Sequence, residues 1–326
     1  MDAYVPDGAV LTEFFWDRTR VSIIQGPIES GTSTACCHRI WALACEQEPD
    51  RDGVRRTRWI VLRKTYKQHR FSTLKTWQLW FPEETWGQMQ HSEPAVHHLR
   101  KPLGDGTVVD CEVIFLAIEN PATAEATLAS FEITGAWINE AQLVDKEVMV
   151  ELLSRTGRYP SQKNGPGATW HGVFCDMNAP EEGHWVPYMR GDIPIPPDLE
   201  EDDRQQYVKP DDWKFFIQPP GLLERRVDGQ IVYEPNPLAE NQKHIRVPYI
   251  KKIGGWDRLK IQRRIMNRIG LRRDGKPVYP TFAPDEHIAL KPIAVLPGTA
   301  IIVGLDFGRM PAACFCQCAG AQWRVL

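Results

Sequence analysis

Val21-Ser-Ile-Ile-Gln25 runs directly into Gly26-Pro-Ile-Glu-Ser30-Gly31-Thr32-Ser33-Thr34. The first five residues predict a buried strand and the next six a glycine-rich turn. Beyond the turn, Ala35, Cys36, Ile40, Trp41 and Ala44 recur at helical spacing. Strand, glycine loop and helix in that order are the frame of a phosphate-binding P-loop, G-x-x-x-x-G-K-[ST]. There the glycines let backbone N–H groups wrap phosphate oxygens, the helix start adds partial positive charge, and the last hydroxyl ligates Mg²⁺. Thr32 stands where that frame has its lysine, which removes the point charge that neutralises the phosphates. On this reading Gly26, Ser30, Gly31, Thr32, Ser33 and Thr34 bind the nucleotide and Ser33 is the Mg²⁺ ligand. Taken alone, the same residues equally make a plain strand-to-helix turn.

Outward from this stretch, short apolar runs alternate with helical patterns. Strands are predicted at 58–62, 112–118, 133–139, 170–175, 213–217 and 300–306. Such alternation predicts an α/β fold with a mostly parallel sheet covered on both faces, whose ligands bind at the carboxyl ends of the strands. Polar residues placed there are therefore the candidates for chemistry. Gly135-Ala-Trp-Ile-Asn139-Glu140 delivers an Asn–Glu pair where a Walker-B strand has an acid that orders the Mg²⁺ shell and a glutamate that polarises water. Asn139 replaces the acid, and an ordinary Asn-Glu helix start remains the alternative. Asn178 ends the next strand in an Asn-Ala-Pro turn. Arg63 and Lys64 end the Trp59–Leu62 run, and either is a candidate to replace the absent P-loop cation. Asp306 ends Ile301-Ile-Val-Gly-Leu and suits the first carboxylate of a two-metal nuclease, which needs several. His91, His97, His98 and His184 show no ligand spacing and are read as ordinary surface or core residues.

The chain has 326 residues, 42% of them hydrophobic, enough for a large core and incompatible with disorder, collagen or coiled coil. With 39 basic and 42 acidic residues the net charge is −3, so no global charge announces a nucleic-acid or membrane partner. No run of apolar residues reaches membrane-spanning length, and the start Met-Asp-Ala-Tyr lacks the features of a signal peptide, which predicts a cytosolic protein. The eight cysteines, without zinc-finger spacing, are read as reduced core thiols, with Cys314, Cys316 and Cys318 on one side of a strand. Locally, Asp198 to Asp203 reads as an acidic surface loop. From Lys243 to Lys276 there are 12 Lys and Arg against two acids. That stretch is expected to contact duplex phosphates through Arg263, Arg264 and Arg268, or else to be a solvated helix face. Lys276 to Pro280 and Lys291 to Gly298 read as a linker.

The order of these elements resembles the large terminase subunit of tailed bacteriophages, the DNA-packaging motor. The residues that carry the likeness are Gly26 to Ser33; Arg63-Lys-Thr-Tyr with Ser72 to Trp77 and Trp80-Phe-Pro82; Thr134 to Ala141; Arg155-Thr-Gly-Arg158-Tyr-Pro160; Asn178-Ala-Pro with His184-Trp185; Asn236-Pro237 with Glu240-Asn241; and Gly304 to Gly308. The resemblance implies a P-loop ATPase of the ASCE type over residues 1–242, a small basic subdomain over 243–290, and over 291–326 the first strands of an RNase H-like nuclease. The later nuclease acids are expected beyond Leu326, so the chain is expected to be truncated within that domain. The resemblance further implies ATP and Mg²⁺ as cofactors, Ser33 on Mg²⁺, Glu140 as catalytic glutamate, and Asn178 coupling hydrolysis to movement, while Thr32 and Asn139 depart from the family's lysine and acid; the strand-end reading adds Arg63 and Asn139 at the nucleotide. Arg155 or Arg158 would act on a neighbouring subunit's nucleotide, and Asp306 would be the first nuclease metal ligand. The implied partners are double-stranded DNA, the portal protein, the small terminase subunit and further copies in a ring on the procapsid, in the host cytoplasm and with no membrane. Two rivals remain at this level: a nucleotide-binding subunit that does not hydrolyse, and a metal nuclease with a degenerate ATPase scaffold.

Overall fold

Eight strands build one sheet: β1 (Val21–Gln25), β2 (Val54–Arg63), β3 (Met89–Gln90), β4 (Ala95–Pro102), β5 (Val108–Ala117), β6 (Gly135–Asn139), β7 (Gly172–Met177) and β8 (Trp213–Ile217). The structure is a computed structural model and describes residues 4–196, 199–228, 230–270, 288–289, 291–307, 312–320 and 322–326. The strand order is β3-β4-β5-β2-β6-β7-β1-β8. From β5 to β8 every neighbouring pair is parallel, while β4 runs antiparallel to both β3 and β5. A mostly parallel α/β sheet is thus the observed class, with an antiparallel edge that the apolar runs did not predict. The reason lies in β4, whose Ala95, His97 and Leu99 face inward while His98 and Arg100 face water. That polar alternation hides a half-exposed strand from a search for continuous apolar runs.

The central strands are apolar on both faces because both are covered. Ile24, Trp59, Val61, Trp137 and Phe174 belong to one core, together with residues of the helices α1 (Ala9–Trp16) and α2 (Thr32–Glu46). Their chain neighbours Ile23, Ile60, Ile138, Val173 and Cys175 belong to a second core with Val148, Met149 and Leu152 of the helix Lys146–Ser154. Period-two alternation between two hydrophobic layers fixes the register, since a slip by one residue would exchange every side chain between them. His97 is one of the core histidines, accepting a hydrogen bond from Trp77 Nε1 at 2.8 Å.

The chain divides into two compact units, Met1–Arg272 and Arg273–Leu326. Within the first, the hairpin β9 (Leu222–Val227) and β10 (Gln230–Pro235) and the helix Arg258–Arg264 share a small core of Leu222, Tyr249, Ile261, Ile265 and Met266. The basic stretch therefore packs with a hairpin that precedes residue 243. The second unit holds an antiparallel meander, β11 (Ile302–Asp306), β12 (Ala312–Ala319) and β13 (Gln322–Val325). Cys314 and Cys316 share a face of β12, their sulfurs 3.5 Å apart, but Cys314 and Cys318 are exposed and so are not core thiols. All eight cysteines are free, and no metal-holding cluster occurs among the described residues. Among those residues, too, no helix is long and apolar enough to cross a membrane. The Lys276 to Pro280 linker, Pro197, Asp198, Gly308 and the side chain of Asp306 lie outside the described residues.

Burial has a consequence for stability. His69 and His184 are pushed down to about 4, in both cases chiefly by desolvation, against partial support from the Leu116 and Ala141 carbonyls respectively. An imidazole with a folded pKa below its unfolded value of ~6.5 binds fewer protons when folded, so stability is lost as pH falls from 6.5 toward 4. At ~1.4 kcal/mol per pH unit, the loss approaches about 3 kcal/mol for each histidine. Urea midpoints are expected to fall steadily between pH 6.5 and 4.5, and a midpoint that stays level over that range would contradict the burial argument.

Candidate nucleotide-binding site

The loop after β1 is shaped by its backbone. Gly31 adopts φ 88° immediately before α2, a conformation that favours glycine, and Glu29 holds φ 60° in spite of its side chain. Gly26 donates its N–H to Met177 O at 3.0 Å, tying the loop to the end of β7. A Cβ on Gly26 would lie 1.8 Å from Gln218 Oε1 and 2.6 Å from Ser30 Oγ, so a side chain there would force both to shift. From outside, Gln218 Nε2 donates to Ser30 O and to Glu240 Oε2, and Asn241 Nδ2 donates to Glu29 O. Ser30 Oγ is buried with no hydrogen-bond partner among the described residues.

Below the loop, one carboxylate organises the site, and it was not singled out from the sequence. Asp176, at the carboxyl end of β7, is level with Asn139 of β6. Its Oδ2 accepts from Ser33 Oγ at 2.6 Å and from Thr32 Oγ1 at 3.4 Å. Its Oδ1 accepts from Trp137 Nε1 at 2.7 Å and Asn139 Nδ2 at 2.9 Å. Burial pushes the Asp176 carboxyl up, opposed by the hydrogen bonds from Asn139, Ser33 and Trp137, while the charge of Glu140 raises it further. A buried acid thus stands one strand over from position 139, with Asn139 acting as its donor.

Glu140 follows β6 in the left-handed region at φ 58° and reaches back to the buried guanidinium of Arg63. Arg63 also donates to Thr73 Oγ1 at 3.0 Å, and Thr73 donates to Asn139 Oδ1 at 2.7 Å. Of the strand-end cations, Arg63 is 2% exposed and engaged by Glu140, and Lys64 pairs with Asp145 at 3.1 Å. Asn178 donates through Nδ2 to Gly26 O at 2.9 Å and accepts at Oδ1 from Arg264 Nη1 at 3.2 Å. These groups surround a cavity of about 180 Å³. Pro27, Ile28, Glu29, Thr32 and Ser33 line it from the loop and α2, Glu140 from the end of β6, Asp176, Met177 and Asn178 from β7, and Arg264 closes it.

Other expected residues lie elsewhere. Thr34 stands in the first turn of α2 but does not line the cavity. Arg155 and Arg158 sit by the starting end of β6, where Ile133 N donates to Arg155 O and Arg158 N to Ile133 O, at the end of the sheet opposite the cavity. Arg155 is paired with Glu151. Arg263 pairs with Glu181 and Arg268 lies 3.9 Å from Glu224, so of the three arginines expected on DNA, two face carboxylates and Arg264 faces the cavity. Lys243, Lys252 and Arg258 likewise meet Asp7, Glu29 and Glu224.

Three comparisons bear on this geometry. No protein-family model and no curated protein matches the chain. Among solved structures, the large terminase from a thermophilic bacteriophage matches with a TM-score of 0.51 at 11% identity, covering 98% of this chain and 67% of that one. The chain has the large-terminase fold. The same phage terminase in complex with ADP, in a second crystal form, matches with a TM-score of 0.51 at 12% identity, over 98% of this chain and 66% of that one. The chain thus spans about two thirds of the terminase it matches. At such identity the likeness concerns the fold, and at that level the terminase resemblance read from the order of sequence elements is borne out.

Proposed function

We propose that the chain is the ATP-hydrolysing part of a DNA-packaging terminase large subunit. The observation that carries this reading is the meeting of a P-loop, Ser33, Asp176 and Glu140 around one cavity at the carboxyl ends of adjacent parallel strands. The donor set on the cavity wall fits Mg²⁺ and a phosphate chain, since the Ser33 and Thr32 hydroxyls and the Asp176 and Glu140 carboxylates are the oxygen ligands a hard cation takes. The ADP held by the phage terminase agrees with a nucleotide site on this fold.

In this reading the N–H groups of Glu29 and of Gly31, Thr32 and Ser33 at the start of α2 orient the triphosphate. Ser33 and Asp176 would hold Mg²⁺, which neutralises phosphate charge. Glu140 orients a water for in-line attack and accepts its proton. Arg63 fixes the Glu140 carboxylate from behind, and Asn178 joins the P-loop to the helix carrying Arg264, a mechanical link from nucleotide to basic subdomain. Arg155 and Arg158, at the far end of the sheet, serve only across a subunit boundary, which implies a ring. Duplex DNA is contacted through exposed cations that have no ion pair among the described residues, such as Arg246 and Lys251. The portal and the small subunit are the remaining partners. The unit containing Asp306 opens an RNase H-like nuclease whose cleavage requires further carboxylates.

Phosphate release from Mg·ATP, measured with and without duplex DNA and portal, tests the reading. Turnover stimulated by the assembled partners is expected. Nucleotide binding with no turnover in the full assembly would leave a binding subunit in its place.

A further inference from the structure

The P-loop has no lysine, yet the cavity beneath it is lined by three carboxylates, from Glu29, Glu140 and Asp176. A polyphosphate entering such a site needs a compensating cation. Among the described residues one basic side chain lines the cavity, and the cations around it are committed to acids: Arg63 to Glu140, Lys64 to Asp145, Lys252 to Glu29, Arg190 to Asp192 and Arg263 to Glu181. Arg264 is that side chain. It lines the cavity, has no carboxylate partner among the described residues, and is held only by the neutral Oδ1 of Asn178. Its backbone is fixed against the same loop, Ile28 donating its N–H to Arg264 O at 2.9 Å, and Asn178 spans the gap by donating to Gly26 O. The end of the helix Arg258–Arg264 is thereby anchored on the P-loop backbone while its last side chain turns to the cavity.

We infer that Arg264 supplies the positive charge missing from position 32, binding the nucleotide's phosphates from the basic subdomain. This assignment rests on the ATP reading above and goes further by naming the residue that recognises the phosphates. A guanidinium presents a planar fork of donors to phosphate oxygens, whereas a P-loop lysine presents a single point charge. Placing that fork on a packed subdomain couples phosphate binding to the helix and to Asn178, which are already bonded to the loop backbone. Asn178 is then a positioning residue for Arg264.

The test is nucleotide affinity by calorimetry on the full chain, with Mg·ATP, Mg·ADP and AMP. Arg264→Ala is expected to weaken ATP by about tenfold or more, the scale of one charge-assisted hydrogen bond, and to leave AMP almost unchanged. Arg264→Lys should recover part of the loss. Thr32→Lys in the Arg264→Ala background should recover most of it, because the cation then returns to the loop. Lys260→Ala, which removes an exposed cation of the same helix that does not line the cavity, should change none of the affinities, and equal melting temperatures exclude misfolding. If the unaltered chain binds ATP and Arg264→Ala binds it as tightly, the assignment is overturned while the ATP reading stands. If the loss is the same for AMP as for ATP, Arg264 only supports the fold there and the assignment is again overturned. If the unaltered chain binds no nucleotide, the ATP reading and the assignment fail together.

Discussion

Glu140→Gln is expected to reduce ATP turnover by about 10²- to 10⁴-fold, the range a positioned general base contributes, while leaving Mg·ATP affinity within a few-fold of the original. Glutamine keeps the shape of the side chain and an oxygen that accepts from Arg63, so the Arg63–Glu140 contact survives as a neutral hydrogen bond. What the amide cannot do is take a proton from water. Charge is lost beside a guanidinium that is 2% exposed, and this costs some stability, since a buried cation is left less well compensated. Phosphate release, nucleotide affinity and melting temperature measured together separate these effects. Equal turnover in the variant would take Glu140 out of the chemistry. Loss of binding in step with turnover would mean that the substitution disturbed the site through Arg63.

The residues of this site differ in how visible they are in the sequence. β1, the loop and α2 are local: an apolar run, two glycines and a helical repeat follow one another between Val21 and Glu46, and the structure has strand and helix where those patterns place them. β6 and β7 are legible for the same reason, being buried along their whole length. Asp176 escapes because its importance depends on pairing. It lies 37 residues from Asn139, and the two come level only when β6 and β7 lie side by side. The available signal was an acid enclosed in the apolar run Val-Phe-Cys-Asp-Met, which a buried strand tolerates only with donors around it. The Asn-Ala-Pro turn that follows marks the strand end more conspicuously and draws the reading to Asn178 instead. Arg264 is hidden in the opposite way, as one cation among many in a basic stretch. Its distinction from Arg263 and Arg268 is the direction its side chain takes, and that is set by a tertiary contact 86 residues away at Asn178. The resemblance to a terminase supplied the order of parts, but the consequences of Thr32 and Asn139 had to be read from the geometry.

Asp176→Asn is expected to abolish most of the gain in ATP affinity that Mg²⁺ provides, by about 10–100-fold, the scale seen when a close partner of a metal site is removed. The variant is nearly isosteric. Its Oδ1 can still accept from Trp137 Nε1 and Asn139 Nδ2, while its Nδ2 donates to Ser33 Oγ, whose hydroxyl turns to become the acceptor. Folding is therefore preserved better than with Asp176→Ala, which would leave the Trp137 and Asn139 donors buried without partners at a cost of ~1–3 kcal/mol each. A second change discriminates a charge effect from a packing effect. Adding Asn139→Asp to Asp176→Asn returns one carboxylate to the same pair of strand ends, at the position where a Walker-B strand carries it. The new carboxylate oxygens on β6 then face the amide of residue 176, and the Ser33 hydroxyl stands 3.3 Å from the position Asn139 Nδ2 occupied. Thr73, which donates to the residue 139 oxygen at 2.7 Å, remains able to do so. Affinity for ATP titrated against Mg²⁺ should recover in the double variant if the site needs one negative charge at this level of the sheet and is indifferent to which strand supplies it. Recovery of thermal stability without recovery of Mg²⁺ dependence would show that Asp176 organises Trp137, Asn139 and Ser33 but contributes nothing to the cation. Full Mg²⁺ dependence in Asp176→Asn alone would place the metal's carboxylate elsewhere on the cavity wall, where Glu140 and Glu29 are the other two.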